Sequence, residues 1–294
     1  MPSWPAQLKI QRRRRPALEL GDARGHSPAA LREFCLRDPV GAALLGEHVE
    51  ALGQYSFYGD QLWCLTDQGE LTGMCWTGGN VVPFRLGTLG TELVAERLLA
   101  RRRRYSSIVG PAQDVLPLWN LLAPGTPKVR EVRAEQPSLS IQDDPLIESH
   151  PQVCRTDPAD LELLTRACVE MFTEEVGYSP LAAGGGYERR VRALVESGRS
   201  LSWIAETPHG RDVIFKAELG TVALGVTQVQ GVWVHPHYRG RGFAEAGMAA
   251  VVRYARAHVA PVVSLYVNSY NAAALAVYRR VGFERVGTFA TVLF

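Results

Sequence analysis

The sequence has few of the features that mark specialised classes of protein. No uninterrupted apolar run reaches about 18 residues, the length that a membrane-spanning helix needs, so no such helix is predicted. The five cysteines form no CxxC pair and have no histidine pair beside them, which argues against a zinc site and is typical of reduced thiols. No internal repeat is recognisable in the order of the residues either.

Lysine is scarce, with three positions among the 32 basic residues, and the basic residues exceed the acidic ones by only two. This balance gives no overall positive field, so we expect neither a nucleic-acid nor a membrane partner. No apolar signal segment begins the chain, and we therefore expect a cytoplasmic protein. The four arginines at 12–15, which lack apolar periodicity, predict a flexible basic tail over residues 1–27.

A change of composition divides the chain into two domains. Residues 134–151 hold three prolines, four acidic residues and no lysine or arginine, a pattern typical of an extended linker. Before the linker, residues 28–133 show a helical pattern over 28–53, then three short strands, a helix, a strand and a helix. After it, residues 152–294 predict a strand, two helices and three strands before a further helix. Both domains therefore belong to the α/β class.

The densest chemical signal is the run V-H-P-H-Y-R-G-R-G-F-A over residues 234–244. It follows a predicted strand, Val226–Val234, and precedes a predicted helix over about 243–260. Glycines in such a loop let the backbone approach an anion, and the free N–H groups and positive dipole end of the helix bind phosphate. A dinucleotide loop would need a third glycine where Glu245 stands, and a P-loop would need a Gly-Lys-Ser/Thr ending.

The amino-acid sequence of this loop resembles that of a known family. Arg239, Gly242 and Ala244 fit the Q/R-x-x-G-x-G/A pyrophosphate loop of the GNAT acyltransferases. Three later segments resemble the same family in order and spacing: L-Y-V-N at 265–268, N-A-A-A at 271–274 and V-Y-R-R-V-G-F at 277–283. The resemblance covers residues 152–294. It implies a mixed sheet that splays between its fourth and fifth strands and takes acetyl-CoA into the gap.

The resemblance also implies roles for individual residues. Tyr278 matches the general acid that protonates the departing CoA thiolate, and a phenol with an ordinary pKa near 10 is protonated at neutral pH. Backbone groups of Val232, Trp233 and Val234 would pair with the pantetheine arm and polarise the thioester carbonyl. The pyrophosphate would be held by the backbone of Arg239, Gly240, Arg241, Gly242, Phe243 and Ala244.

Other candidate residues have competing explanations. Asn268 and Asn271 match positions that contact CoA, but Asn271 is also predicted as the N-cap of a helix. Glu218 is a candidate for the base that deprotonates the amine, and solvation on the strand surface is the alternative. Glu174 and Glu175 follow the first helix of the C-terminal domain, where contacts with the acceptor substrate are expected, and they too could be solvated surface acids.

The N-terminal half repeats part of the same order, with three strands followed by a helix. Thr88 stands where the loop needs glycine, so we interpret residues 30–133 as a degenerate GNAT-like domain that covers the cleft or makes a homodimer contact. The arrangement resembles two-domain GNAT proteins of GC-rich bacteria, whose N-terminal domain has no assigned function.

Two functional hypotheses follow. The first is an N-acyltransferase that moves acetyl from acetyl-CoA to a primary amine of a small molecule or protein by direct attack, without a metal. The second is a CoA-binding regulatory module that has no catalytic activity.

Overall fold

A computed structural model describes residues 18–52, 60–101, 105–126, 128–183, 185–208 and 210–294. The N-terminal half contains β1 (Leu18–Asp22), α1 (Pro28–Cys35), α2 (Ala43–Leu52), β2 (Leu62–Asp67), β3 (Glu70–Thr77), β4 (Asn80–Phe84), α3 (Gly87–Leu99), β5 (Ser107–Pro111), α4 (Ala112–Leu122) and β6 (Glu131–Ile141). The C-terminal half contains β7 (Cys154–Arg155), α5 (Leu161–Val176), α6 (Gly186–Glu196), β8 (Ser200–Thr207), β9 (Gly210–Ala223), β10 (Val226–Val234), α7 (Phe243–His258), β11 (Val262–Tyr266), α8 (Ala272–Val281) and β12 (Glu284–Leu293).

The two halves repeat one order of elements. Each begins with a strand and two helices, continues with three strands, and ends with helix, strand, helix and strand. The sequence predicts part of this duplication, the three strands followed by a helix, but no repeat of the residues themselves is visible, because what is shared is the succession of elements. The mixed α/β class that the sequence predicts is confirmed.

The twelve strands form one sheet in the order β1-β2-β3-β4-β5-β12-β6-β11-β10-β9-β8-β7. The order is symmetrical about its centre, where the two halves exchange their last strands. β12 of the C-terminal half pairs with β5, and β6 of the N-terminal half pairs with β11. β6 and β12 then pair with each other, and all three of these pairings are antiparallel. Each half therefore completes the sheet of the other.

The predicted linker over 134–151 is corrected in its first part, because Glu131–Ile141 forms the central strand β6. Pro137 lies where the β6–β11 ladder ends, one residue before the Ser138–Tyr266 pair and close to a register shift in β12. A missing N–H is tolerated best at such a ladder end, and the Pro137 carbonyl still accepts a hydrogen bond from Val267 N at 3.2 Å. Prolines and acids alone did not distinguish this strand from a linker.

Two further expectations change in the N-terminal half. The predicted tail over 1–27 is ordered from residue 18, because β1 pairs antiparallel with β2 and half-buries its leucines. Residues 1–17, including the four arginines, lie outside the described residues. The predicted helix over 28–53 is two helices, α1 and α2, separated by a turn in which the Asp38 side chain accepts from Gly41 N at 2.9 Å.

Packing of α7 on the sheet fixes where that helix begins. Its buried face includes Met248, Val251 and Val252, which join the core of the C-terminal half with Phe215 of β9. A Cβ atom on Gly247 would lie 2.7 Å from the Phe215 ring, so glycine lets the helix approach the sheet closely. The first turn of α7 is therefore held at the end of β10.

Candidate active site

A gap opens between β10 and β11. The two strands pair in parallel only from Val226–Val262 to Gln228–Ser264. Farther along, the described pairings of β10 are with β9, and those of β11 are with β6. The backbone of Val232, Trp233 and Val234, to which the family resemblance assigns the thioester arm, lies beyond the last β10–β11 pair.

β10 also carries a bulge at the gap. Its register with β9 shifts between Gln230 and Trp233, and Gly231 has a φ of 60°, in the left-handed region. A Cβ atom at Gly231 would lie 3.1 Å from both the Glu218 carboxyl carbon and the Lys216 Nζ. Glycine is therefore required here by both backbone conformation and space.

The loop before α7 presents a row of backbone donors. Five consecutive backbone N–H groups make no hydrogen bond within the described part of the chain, namely those of Gly240, Arg241, Gly242, Phe243 and Ala244. Gly240 and Gly242 have φ values of 74° and 78°, and the space beside both is open. The positive end of the dipole of a 16-residue helix lies at the same point. Together these groups suit a diphosphate anion.

Arg239 is held by a carboxylate and not left free. Its guanidinium donates to both oxygens of Glu174 at 2.7 Å, and its Nε donates to Val234 O at 3.0 Å. Trp233 Nε1 approaches the same carboxylate at 3.4 Å. Hydrogen bonds from Arg239 hold the pKa of Glu174 below its usual value. Glu174, predicted to contact the acceptor, thus connects the end of α5 to the loop before α7 instead. We call residues 239–244 of this segment the anion loop.

Tyr278 is buried on α8, with 7% of its surface exposed, and its ring packs edge-on against Phe283. Burial, and then the negative charge of Glu175, raise the pKa of Tyr278 above that of an ordinary phenol. The hydroxyl has no hydrogen-bond partner among the described residues. Tyr278 is therefore a protonated, uncommitted donor at neutral pH, as a general acid requires.

The hydrogen bonds and the charge around the Glu218 carboxylate do not suit a general base. Its Oε1 accepts from Lys216 Nζ at 2.8 Å and from Cys168 Sγ at 3.4 Å, and its Oε2 accepts from Gln230 Nε2 at 3.3 Å. Burial alone would raise the pKa of Glu218, but the charge and hydrogen bond of Lys216 outweigh it and lower the pKa. A carboxylate so engaged is a poor proton acceptor, which argues against the predicted role.

The two predicted asparagines are separated in role by the structure. Asn271 is the N-cap of α8, since its Oδ1 accepts from Ala274 N at 3.1 Å. Asn268 lies after β11, where its Oδ1 accepts from Gln136 Nε2 at 2.9 Å. Gln136 accepts in turn from Thr291 Oγ1 at 2.7 Å, so a residue of the N-terminal half orients Asn268.

The N-terminal half also reaches the end of α5 through arginines of and beside β6. Arg133 Nη1 donates to Glu175 Oε1 at 3.1 Å. Arg130 Nη2 donates to Val176 O at 2.6 Å, and its guanidinium lies 4.1 Å from the centre of the Tyr178 ring. Sequence reasoning missed these residues because at least 40 positions separate them from their partners, and no local pattern connects them.

The equivalent connection in the N-terminal half is shorter and contacts a buried carboxylate. Only Arg85 and Leu86 separate β4 from α3, and their N–H groups donate to the two oxygens of Asp114 at 3.0 and 2.9 Å. A Cβ atom at Gly110 of β5 would lie 3.2 Å from Pro83 O, so the strands approach closely here. The two backbone donors of this short connection are thus bound by a carboxylate of the chain itself.

The described residues contain no group of three or more His, Cys, Asp and Glu side chains placed to hold a metal ion. Among the helices of the described chain, none combines the length and apolar character needed to cross a membrane. All five cysteines are free, and Cys154 alone of the five is exposed.

Two family models match this chain. Residues 60–164 match a domain of unknown function (DUF4081), and residues 198–283 match the acetyltransferase (GNAT) family. A search of curated proteins finds no match.

Solved structures share the fold over both halves. A GCN5-related N-acetyltransferase from Sphaerobacter thermophilus has a TM-score of 0.58 at 17% identity, covering 94% of each chain. A GNAT-family acetyltransferase from Colwellia psychrerythraea has 0.55 at 11%, covering 94% of this chain and 99% of that one. A Drosophila protein has 0.60 at 13%, covering 95% and 99%. The match to the GNAT acetyltransferase family thus covers residues 198–283, it follows a match to a domain of unknown function, and both lie within a GNAT-like fold.

Proposed function

We propose that the C-terminal half is an N-acyltransferase that moves acetyl from acetyl-CoA to a primary amine. The observation that carries this proposal is the position of five uncommitted backbone donors, Gly240 to Ala244, beside the β10–β11 gap. A diphosphate on the donors leaves the gap for an extended thioester arm. The GNAT fold supports acyl transfer in general, and the amine acceptor is our inference from the site.

The anion loop binds and orients the donor substrate. Its backbone N–H groups and the α7 dipole attract the diphosphate, and the Glu174–Arg239 pair keeps the loop in this conformation. Because Arg239 is bonded to a carboxylate, the backbone and not its guanidinium supplies the principal donors. Arg241 is exposed and lies 5.4 Å from the centre of the Tyr238 ring, from where its charge adds to the positive potential.

The strand β10 acts on the thioester carbonyl. The amine nitrogen attacks the carbonyl carbon, and a C–N bond forms as the C–S bond breaks. An N–H group among Val232, Trp233 and Val234 stabilises the negative charge that develops on the carbonyl oxygen. A donor fixed in a strand needs no reorganisation at that moment, which is the source of its catalytic value.

Tyr278 completes the proton balance. The acceptor ammonium group first loses a proton to solvent and attacks as a neutral amine. The Tyr278 hydroxyl then donates a proton to the departing thiolate, and the phenol is restored by the second proton, which leaves the new amide nitrogen. Glu175, whose charge reaches Tyr278 and whose side chain is half exposed, is the carboxylate that we assign to the acceptor ammonium group. The buried Glu218 takes no part in this proton transfer.

The test is thiol release from acetyl-CoA with a panel of primary amines: a peptide N-terminus, a lysine side chain, an aminoglycoside and small metabolic amines. We expect amine-dependent thiol release with at least one of them, and acetyl-CoA binding by calorimetry. Binding without turnover on any amine would favour a regulatory module. No binding at millimolar acetyl-CoA would reject both functions.

The free cysteines favour a cytoplasmic location for this activity.

A further inference from the structure

A buried ion pair lies directly behind the bulge of β10. Lys216 has no exposed surface, and its Nζ donates to Glu218 Oε1 at 2.8 Å and to Gly231 O at 2.9 Å. Glu218 is 7% exposed and also accepts from Gln230, the residue before the bulge. Both charged residues therefore bond to β10 at the point where its register with β9 shifts.

The bonds of this pair fix the direction of the β10 backbone. Holding the Gly231 carbonyl on Lys216 determines the orientation of the peptide plane between Gly231 and Val232. The N–H group of Val232 belongs to that same plane, so it points away from the carbonyl because the peptide is planar. Gly231 accepts the required positive φ, and its missing side chain leaves room for the two charged groups.

We propose that Lys216 and Glu218 are positioning residues, which fix the bulge so that the Val232 N–H faces the thioester carbonyl in the gap. This inference rests on the proposed function. The pair touches neither substrate and acts through the backbone of β10. Glu218 keeps the lysine charged and in place, and Gln230 and Cys168 satisfy the remaining capacity of the carboxylate.

Stability alone does not require such a pair. Apolar residues of similar volume commonly stabilise a core as well as a buried ion pair does, because charges lose their hydration on burial. The same property offers a variant that keeps the fold and removes the positioning bond. Lys216→Met together with Glu218→Gln removes both charges, preserves most of the volume, and abolishes the bond to the Gly231 carbonyl.

The experiment compares this double variant with the wild type in four measurements: melting temperature, calorimetric affinity for CoA, calorimetric affinity for acetyl-CoA, and steady-state kinetics. We expect a folded protein whose CoA affinity stays within about twofold of wild type, since the anion loop is intact. We expect kcat to fall about 100-fold, the size of effect seen when an oxyanion donor is lost. Any preference of the wild type for binding acetyl-CoA over CoA should be absent from the double variant.

Thr156→Val is the matched control. Thr156 is buried and bonds to Ser200 and Ser202 at 3.0 and 2.9 Å on the far edge of the sheet. We expect it to lower the melting temperature and leave kcat unchanged. If the folded double variant keeps wild-type kcat, or if its kcat falls only in proportion to stability as in the control, the positioning role is wrong.

The two proposals fail in different ways. A wild type that turns over beside a fully active double variant overturns the inference and leaves the function standing. A wild type that binds acetyl-CoA without turnover overturns the function. In that case the acetyl-CoA to CoA affinity ratio decides the inference: loss of the wild-type ratio in the double variant supports it, and an equal ratio in both proteins overturns it. A wild type that binds neither ligand overturns both.

Discussion

The two halves of this protein have the same order of elements and differ at one connection. In the C-terminal half eight residues separate β10 from α7, and a row of open donors begins at Gly240 in this loop and continues to Ala244 in the first turn of α7. In the N-terminal half two residues join β4 to α3, and Asp114 occupies their N–H groups. The comparison indicates that the fold supplies the frame, whereas loop length, glycine positions and one carboxylate decide how many backbone donors at this connection stay open.

The two halves also contribute different kinds of contact to each other. β6 brings Arg133 to Glu175 and Gln136 to Asn268 in the C-terminal half. β12 in return closes the sheet of the N-terminal half against β5. We infer that the N-terminal half supports the C-terminal site without binding acetyl-CoA itself. The following predictions either break this comparison or sharpen it.

The largest effect is expected on deleting residues 1–145. This removes β6, so β11 and β12 lose the strand between them and expose unpaired, apolar edges that promote aggregation. Soluble yield and circular dichroism measure the outcome, and co-expression of the two fragments is the control that should restore solubility. A soluble C-terminal fragment with wild-type turnover would show that the halves are independent domains.

Tyr278→Phe should lower kcat about 100-fold or more at neutral pH and leave the KM for acetyl-CoA nearly unchanged, because it removes the proton donor and little else. Tyr254→Phe is the control, since that hydroxyl bonds to Gly198 O away from the gap. Steady-state kinetics distinguishes them. Equal kcat in the Tyr278→Phe variant and the wild type would reject the general-acid role.

Gly242→Ala and Gly87→Ala test the two helix starts as a matched pair. Both glycines have positive φ, 78° and 61°, and open space around them, so each substitution should cost about 1 kcal/mol of stability through backbone strain. Only Gly242→Ala should raise the KM for acetyl-CoA, by about tenfold, because strain displaces donors used for binding. A similar rise for Gly87→Ala would assign the substrate to the N-terminal half.

Glu174→Gln should raise the KM for acetyl-CoA by up to about fivefold, since it weakens an exposed but bidentate pair that holds the anion loop. Glu175→Gln is its neighbour and control, and it should raise the KM for the amine instead. Kinetics with each substrate varied in turn gives both values. An exchange of the two effects would reverse the roles of these acids.

The smallest effect on activity is expected for Asp114→Asn. The amide keeps one acceptor for the Arg85 and Leu86 N–H groups and loses the other, so the unfolding free energy should fall by about 1 to 2 kcal/mol. Denaturant titration measures this fall, and calorimetry should give one acetyl-CoA per chain before and after the substitution. Two acetyl-CoA molecules bound per wild-type chain would contradict our inference that the N-terminal half binds no acetyl-CoA.

Local patterns in the sequence predicted much of the C-terminal half. The strand ending at Val234, the glycine loop and the helix after it were predicted close to their observed positions, because turn chemistry and periodicity act over a few residues. The N-cap at Asn271 was predicted for the same reason. The linker was wrong in part, because Pro137 sits at a ladder end that depends on strands more than 120 positions away.

By itself the sequence determined the elements and the chemical character of the loop, since both depend on neighbours along the chain. Tertiary structure alone decided the exchange of β6 and β12, the engagement of Glu218 by Lys216, and the pairing of Glu174 with Arg239. Each of these joins groups from different elements, and their free energy depends on burial and mutual distance. Local sequence patterns contain no information about burial or about the distance between groups of different elements.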